Sequence, residues 1–217
     1  MEVNCMKIKW FGQSCFRFDS DNGISIITDP FDETLGYDLP HEKANIVTVS
    51  HQHYDHNYVD AIYGDPKIIK KTGRYNIDGI IINGIQSYHD ECCGSKRGTN
   101  IIYTFDIDEI RICHLGDLGH ILTKEQIENI GKVDILLIPV GGTYTLDAST
   151  AAKVVSQLNP NGIIPMHYKT SKISLPIDPV DNFTSIMQKG TKVKRNYIEV
   201  RKDGLGRDQQ LVILDYE

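Results

Sequence analysis

The sequence of 217 residues predicts an α/β fold, and three observations carry that prediction. Short apolar runs with two-residue alternation crowd the first half, as β-strands do. Amphipathic helical stretches enter in the second half and alternate there with buried strands. Histidines and aspartates recur just after strand ends, where sites assemble in α/β architectures.

Residues 7–11 and 15–18 alternate polar and apolar side chains around Gly12-Gln13-Ser14, and Gly23 leads into an apolar run at 24–28. This is the pattern of a β-meander with one wet face. Asp29-Pro30-Phe31 ends the third strand, and residues 32–43 are a polar loop. Residues 44–49 are β-branched and apolar, which predicts a buried strand ending at Ser50. Residues 58–63 fit a short helix stopped by Gly64-Asp65-Pro66. Further strands are predicted at 67–70, 79–82, 100–105 and 111–115, with a glycine- and cysteine-bearing loop at 91–98.

Thr123-Lys124-Glu125-Gln126 has the form of a capping box, in which hydroxyl and glutamine satisfy each other's free backbone N–H groups. It opens a helix that Gly131 closes. Residues 133–139 predict a buried strand, Asp147 caps an amphipathic helix running to Leu158, and Asn159-Pro160-Asn161-Gly162 stops it. A strand at 163–167, a proline-containing loop at 169–180, a helix at 179–189 and strands at 197–200 and 210–214 complete the chain. No internal repeat or linker divides it, so one domain over residues 1–217 is expected.

Apolar residues make up 40% and charged residues 24%, the balance of a soluble globular protein. No apolar run reaches the length that spans a membrane, and residues 1–7 lack a basic stretch followed by an apolar one. A cytoplasmic protein is therefore expected. Five cysteines without framework spacing suit a reducing compartment. The adjacent Cys92 and Cys93 read as free loop thiols, since neighbouring cysteines chelate one ion poorly. A net charge of −6 argues against a nucleic-acid partner. Two basic clusters, residues 67–74 and the six basic side chains of 192–207, read as solvated faces. A small-molecule substrate is the expected partner, with homo-oligomerisation left open.

Residues 51–56 read His-Gln-His-Tyr-Asp-His, placing three of the eight histidines and an aspartate within six residues. In an extended segment residues i and i+2 share a face, so His51 and His53 can converge on one cation. Asp55 and His56 fall where the chain leaves the strand, and can offer an oxygen and a nitrogen to a second. Imidazole and carboxylate are ligands that zinc accepts, as do iron, nickel and manganese. Downstream, His89, Asp117 and His167 each follow a predicted strand.

With these residues the chain resembles the metallo-β-lactamase superfamily, and more narrowly the compact metal-dependent hydrolases related to L-ascorbate 6-phosphate lactonase. The likeness runs over nearly the whole chain. It rests on Trp10-Phe11-Gly12-Gln13-Ser14, Thr28-Asp29-Pro30, the H-x-H-x-D-H run, His114-Leu115-Gly116-Asp117-Leu118-Gly119-His120, Pro139-Val140-Gly141-Gly142, Thr145-Leu146-Asp147 and Met166-His167-Tyr168. The resemblance implies a four-layer αββα sandwich, two mixed β-sheets face to face with helices outside. It also implies one metal held by His51, His53 and His89, a second held by Asp55, His56 and His167, and Asp117 bridging them. Asp29 is expected to support the histidine loop by hydrogen bonding, since carboxylates behind the ligands fix imidazole tautomers. His114 and His120 flank Asp117, and either could support the site, face the substrate or simply pack. Gly116, Gly119, Gly141 and Gly142 are expected to let backbone approach the site closely.

Two divalent cations, Zn2+ first and Mn2+, Ni2+ or Fe2+ otherwise, would lower the pKa of a bridging water and polarise a carbonyl or phosphoryl oxygen. The expected activity is binuclear metal-dependent hydrolysis of an ester, lactone or phosphoester of a small anionic metabolite. In it the bridging hydroxide attacks, and Asp55 orients it and relays its proton. Lys96, Arg97, Lys169 and Lys172 lie in loops near the ligands and could meet a phosphate, although each taken singly reads as an ordinary surface cation. A nuclease or phosphodiesterase acting on RNA or DNA is one rival, and it would need a basic binding surface. A di-iron oxidoreductase is another, and it would need an electron partner. A non-catalytic binding protein would not need every ligand position filled.

Overall fold

Residues 5–206 and 208–216 are described by a computed structural model. The first four residues of the N-terminal stretch weighed above, Arg207 of the second basic cluster, and Glu217 lie outside them. Strands β1 (Met6–Gly12), β2 (Cys15–Asp19) and β3 (Ser25–Thr28) form the expected antiparallel meander. Strands β4 (Ile46–Thr48) and β5 (Lys67–Ile69) extend it by parallel pairing. A second sheet begins with β6 (Gly73–Ile77), β7 (Ile80–Tyr88), β8 (Thr99–Ile107) and β9 (Ile110–His114), all antiparallel neighbours. Parallel strands β10 (Ile135–Pro139) and β11 (Gly162–Met166) continue it. Of the last three strands, β12 (Thr191–Lys192) and β14 (Gln210–Ile213) join this second sheet, while β13 (Tyr197–Val200) returns to pair with β1.

The result is a six-stranded sheet facing an eight-stranded one, both mixed. Phe18 of β2 meets Phe105 of β8 edge to face at 5.2 Å between ring centroids, one of many apolar contacts that seal the two sheets together. Side-chain alternation explains the layering. Ile26 and Ile46 belong to the core between the sheets, whereas their neighbours Ile27 and Val47 pack with Phe31, Leu35 and Tyr37 in a smaller cluster on the outer face. Strand β3 is therefore buried on both sides, and the wet face expected for the meander holds for β1 alone in full alternation.

Three helices lie among the described residues: α1 (Lys124–Ile130), α2 (Ala148–Leu158) and α3 (Val180–Met187). The capping box at Thr123 and Gln126 forms, and the Asp147 carboxylate accepts the backbone N–H of Thr150 at 2.7 Å. Ala151, Val154, Val155 and Leu158 give α2 its buried face against the eight-stranded sheet, and α3 packs on α2. On the six-stranded sheet, the outer layer is built largely from 3₁₀ turns at Glu33–Leu35 and Val59–Ala61 and from Ile173 and Ile177. The helix expected at 58–63 is thus one 3₁₀ turn; unlike α1, it has no side-chain cap at its start to satisfy the free backbone N–H groups. Among the described residues no helix is long and apolar enough to cross a membrane.

Strand direction sets the place of the site. Strands β3 and β4 run parallel in one sheet, and β7, β9, β10 and β11 run the same way in the other. Their C-terminal ends, and the turn between β1 and β2, open on one edge of the sandwich.

Candidate metal centre

Every candidate ligand falls on that edge. Residues 51–56 follow β4, His89 follows β7, Asp117 follows β9 by three residues, and His167 follows β11. The Asp117 Oδ2 atom lies 3.1 Å from His89 Nε2, 3.2 Å from His56 Nε2, 3.3 Å from His167 Nε2 and 3.8 Å from His51 Nε2. Three groups have ligand atoms mutually within 4.8 Å: His51, His53 and His89; Asp55, His56 and His167; and His51, His56 and Asp117. Asp117 thus stands between two triads drawn from both sheets.

A layer of buried side chains aims these ligands. Asp29 Oδ1 accepts the Ser50 N–H at 2.7 Å, while Oδ2 accepts the Ser50 hydroxyl at 2.6 Å and lies 2.9 Å from His56 Nδ1. Ser50 Oγ in turn lies 3.0 Å from His51 Nδ1. Both imidazoles therefore keep Nε2 for the centre, as a supporting carboxylate should arrange. Two further supports were not singled out from the sequence. The Gln13 amide donates to Asp55 Oδ2 at 2.9 Å, and the Gln13 carbonyl accepts from the His167 N–H at 3.1 Å. Asn100 Oδ1 accepts the Asp117 N–H at 3.0 Å, and its amide donates to Leu115 O and Ser87 Oγ. Gln13 stands in the Trp-Phe-Gly-Gln-Ser run, so its motif was visible while its role was not; Asn100 carried no signal beyond starting a strand.

His114 and His120 contact backbone beside the centre rather than joining the candidate ligands. His114 is fully buried, with Nε2 2.8 Å from Ser14 O and Nδ1 accepting from the Gly116 N–H. His120 Nε2 accepts the Tyr88 N–H at 3.2 Å, one residue before His89. Gly116 has φ +55, and a Cβ there would meet Ser50 Cβ at 2.7 Å; one at Gly119 would press into the His89 carbonyl. These glycines let the Asp117 turn pass directly beneath the histidines.

The donor set fits a metal. His56, His89, Asp117 and His167 are essentially buried, and His56 Nε2, which faces the centre, and Asp117 Oδ1 have no hydrogen-bond partner. Buried polar atoms without partners are costly unless a cation joins them. Burial and the neighbouring His56 push His51 down to about 3, against weaker pulls from Asp117 and Asp29, so it is a neutral donor. Burial also disfavours charge on His56, but the carboxylates of Asp117 and Asp55 outweigh it and hold its pKa well above the usual range. Burial opposes ionisation of Asp117, yet His167 and His56 keep its carboxyl well below the ordinary value. Nitrogen and carboxylate donors of this kind suit zinc and its first-row neighbours.

A cavity of about 560 Å³ opens over the centre, and Tyr54, Tyr144, Leu175, Lys96 and Arg97 line it. Lys96 is paired with Glu91, and Arg97 donates to Thr143 O while lying over the Tyr144 ring. Lys169 instead holds the carbonyls of Ile173 and Leu175, and Lys172 borders a separate hollow with Lys9 and Glu42. Of these four cations, Lys96 and Arg97 line the cavity over the centre.

Fold and site together define a metal-dependent hydrolase of metallo-β-lactamase architecture. The chain belongs to the family described as the Beta-lactamase superfamily domain, which matches residues 7–167. A UPF0173 metal-dependent hydrolase of Thermoplasma volcanium is 30% identical to it over 204 residues, 81% of this chain and 88% of that protein. Among solved structures, a Thermotoga maritima protein described as a candidate Zn-dependent hydrolase of the metallo-β-lactamase superfamily is 39% identical. It has a TM-score of 0.82 and the match covers 96% of this chain and 98% of the other. A metallo hydrolase of Ignicoccus hospitalis shares the fold at 20% identity, with a TM-score of 0.66 over 98% and 97% of the two chains.

Proposed function

We propose that the protein hydrolyses an ester, lactone or phosphoester bond of a small anionic metabolite at a binuclear centre, with zinc the first candidate metal. The observation that carries this reading is Asp117 Oδ2, within 3.8 Å of four imidazole Nε2 atoms and flanked by two ligand triads. His51, His53 and His89 would hold one ion, Asp55, His56 and His167 the other, with Asp117 shared. Divalent cations bound there supply an activated water and polarise the oxygen of the bond to be cleaved.

The chain's own residues do the rest. Asp55 is fixed by the Gln13 amide, and despite burial the neighbouring His56 holds its carboxyl below the ordinary range. It stays an acceptor, orienting the attacking water and passing its proton toward the leaving group. Tyr54, Tyr144 and Leu175 wall off a cavity of about 560 Å³, a volume suited to a small molecule rather than a nucleic-acid strand. A reducing cytoplasmic setting agrees with cysteines that are all free.

Elemental analysis of the purified protein tests the centre, followed by turnover of sugar-phosphate lactones and bis(p-nitrophenyl) phosphate by metal-stripped and reloaded forms. About two ions per chain with metal-restored turnover is the expected result. Less than one ion under every loading condition would overturn the ligand set.

A further inference from the structure

A second hollow of about 560 Å³ adjoins the centre on the side of β5, and it shares Gln52, His53 and Arg97 with the cavity above. The turn Lys70-Lys71-Thr72 and Thr99 also line it. Among the described residues no aspartate or glutamate lines it, in a chain whose net charge is −6. Lys9, Lys96, Lys192 and Lys202 each have a carboxylate partner, whereas among the described residues Lys70, Lys71 and Arg97 form no ion pair. A basic concavity with nothing to neutralise it raises the local concentration of anions.

The turn that carries the lysines is held rigidly. The Tyr103 hydroxyl donates to Ile69 O and Val49 O at 3.2 Å, tying the end of β5 to the strand that leads into the histidines. The Tyr75 hydroxyl donates to Lys71 O at 3.1 Å, and β7 passes so closely beneath that a Cβ on Gly84 would lie 2.8 Å from that same carbonyl. Arg97 is positioned by its bond to Thr143 O, which leaves most of its guanidinium donors for a ligand.

We propose that this hollow binds a phosphate group carried by the substrate away from the bond that is cleaved, with Lys70 and Lys71 as its main contacts and Arg97 between the two lobes. Two ammonium groups and a guanidinium more than neutralise a dianion, and hydroxyls of Thr72 and Thr99 supply neutral donors. His53 lies at the junction, so a phosphate seated on the lysines leaves the remainder of a small molecule over His89 and Asp117. The inference rests on the hydrolase reading but concerns different residues.

Titration of the metal-loaded protein with glycerol 3-phosphate and with glycerol, followed by calorimetry alongside metal analysis, tests it. Glycerol 3-phosphate should bind and glycerol should not. The double variant K70Q/K71Q should weaken that binding at least about tenfold with metal content unchanged. The control K67Q/R74Q, which alters basic residues outside the hollow, should change it by less than about twofold. Unchanged binding by K70Q/K71Q at full metal content would overturn the hollow alone, since the phosphate would then sit on the metals. Low metal content with lysine-dependent binding would instead overturn the hydrolase reading and leave the hollow standing. Binding of a single-stranded oligoribonucleotide, steeply salt-dependent and lost in K70Q/K71Q, would replace the small-molecule phosphate with RNA.

Discussion

The two loops that supply four of the five candidate ligand histidines are held in opposite ways. Residues 51–56 depend on partners remote in sequence: Asp29 and Gln13 reach Ser50, His56 and Asp55 across separations of 21 to 42 residues. The loop after His89 is held by its own neighbour. Asp90 accepts the N–H groups of Cys92, Gly94, Lys96 and Arg97, and although burial opposes its ionisation, these bonds keep its pKa at about 2. The first loop therefore inherits its geometry from the whole six-stranded sheet, while the second is a self-contained coil around one carboxylate. Asp117 belongs to neither and touches ligands from both.

The largest effect should come from removing what the two loops share. Asp117→Asn should lower metal content and cut turnover by roughly three orders of magnitude; full metal and full turnover in this variant would end the bridging role. Next in size is the remote support. Asp29→Ala leaves a buried imidazole and Ser50 without their acceptor, so it should weaken metal binding by about 10- to 100-fold and destabilise the fold by about 3 kcal/mol or more. Chemical denaturation and metal titration would read these together. Gln13→Leu should lose about tenfold or more in turnover with a smaller loss of metal than Asp29→Ala, because one bond to a single candidate ligand, Asp55, is removed.

The self-contained loop should behave differently. Asp90→Ala should speed hydrogen exchange at the amides of Cys92, Gly94, Lys96 and Arg97 while protection elsewhere is kept. Loss of protection across the histidine loop as well would show that the two supports are one unit and would dissolve the contrast.

This contrast also explains what could be read in advance. Periodicity revealed β1 to β4, the strands that reach the site and both capped helices, because each is a local pattern with a local cause. Strand β6 was missed because its alternation is only four residues long, Tyr75 and Ile77 against Arg74 and Asn76, and β7 proved far longer than its apolar core of 80–82 because Asn83, Gly84 and Gln86 interrupt the pattern. At the site, the contiguous histidine run was plain, while Gln13 and Asn100 act through folds of the chain that no spacing encodes. The pairing of His114 with Ser14, a hundred residues away, is likewise a property of the sheets rather than of the motif around Asp117.

A locally held element far from the centre sets the lower end of the scale. Asp147 caps α2 through the backbone N–H of Thr150, and that bond, with help from the Thr150 hydroxyl and against slight burial, lowers its pKa from the ordinary 3.8. A carboxylate whose folded pKa is depressed contributes stability above its unfolded pKa and loses it as pH falls through the folded value. Asp147→Ala should therefore cost about 1 kcal/mol near neutrality, a fall in Tm of about 2–4 °C. The difference between wild type and variant should shrink as the pH drops below 3.8. Turnover and metal content should stay at the wild-type level throughout, because α2 packs on the sheet face and not on the edge where the ligands meet. A loss of metal in this variant would mean that local supports reach the centre after all, and the division between remote and local scaffolding would fail at its simplest case.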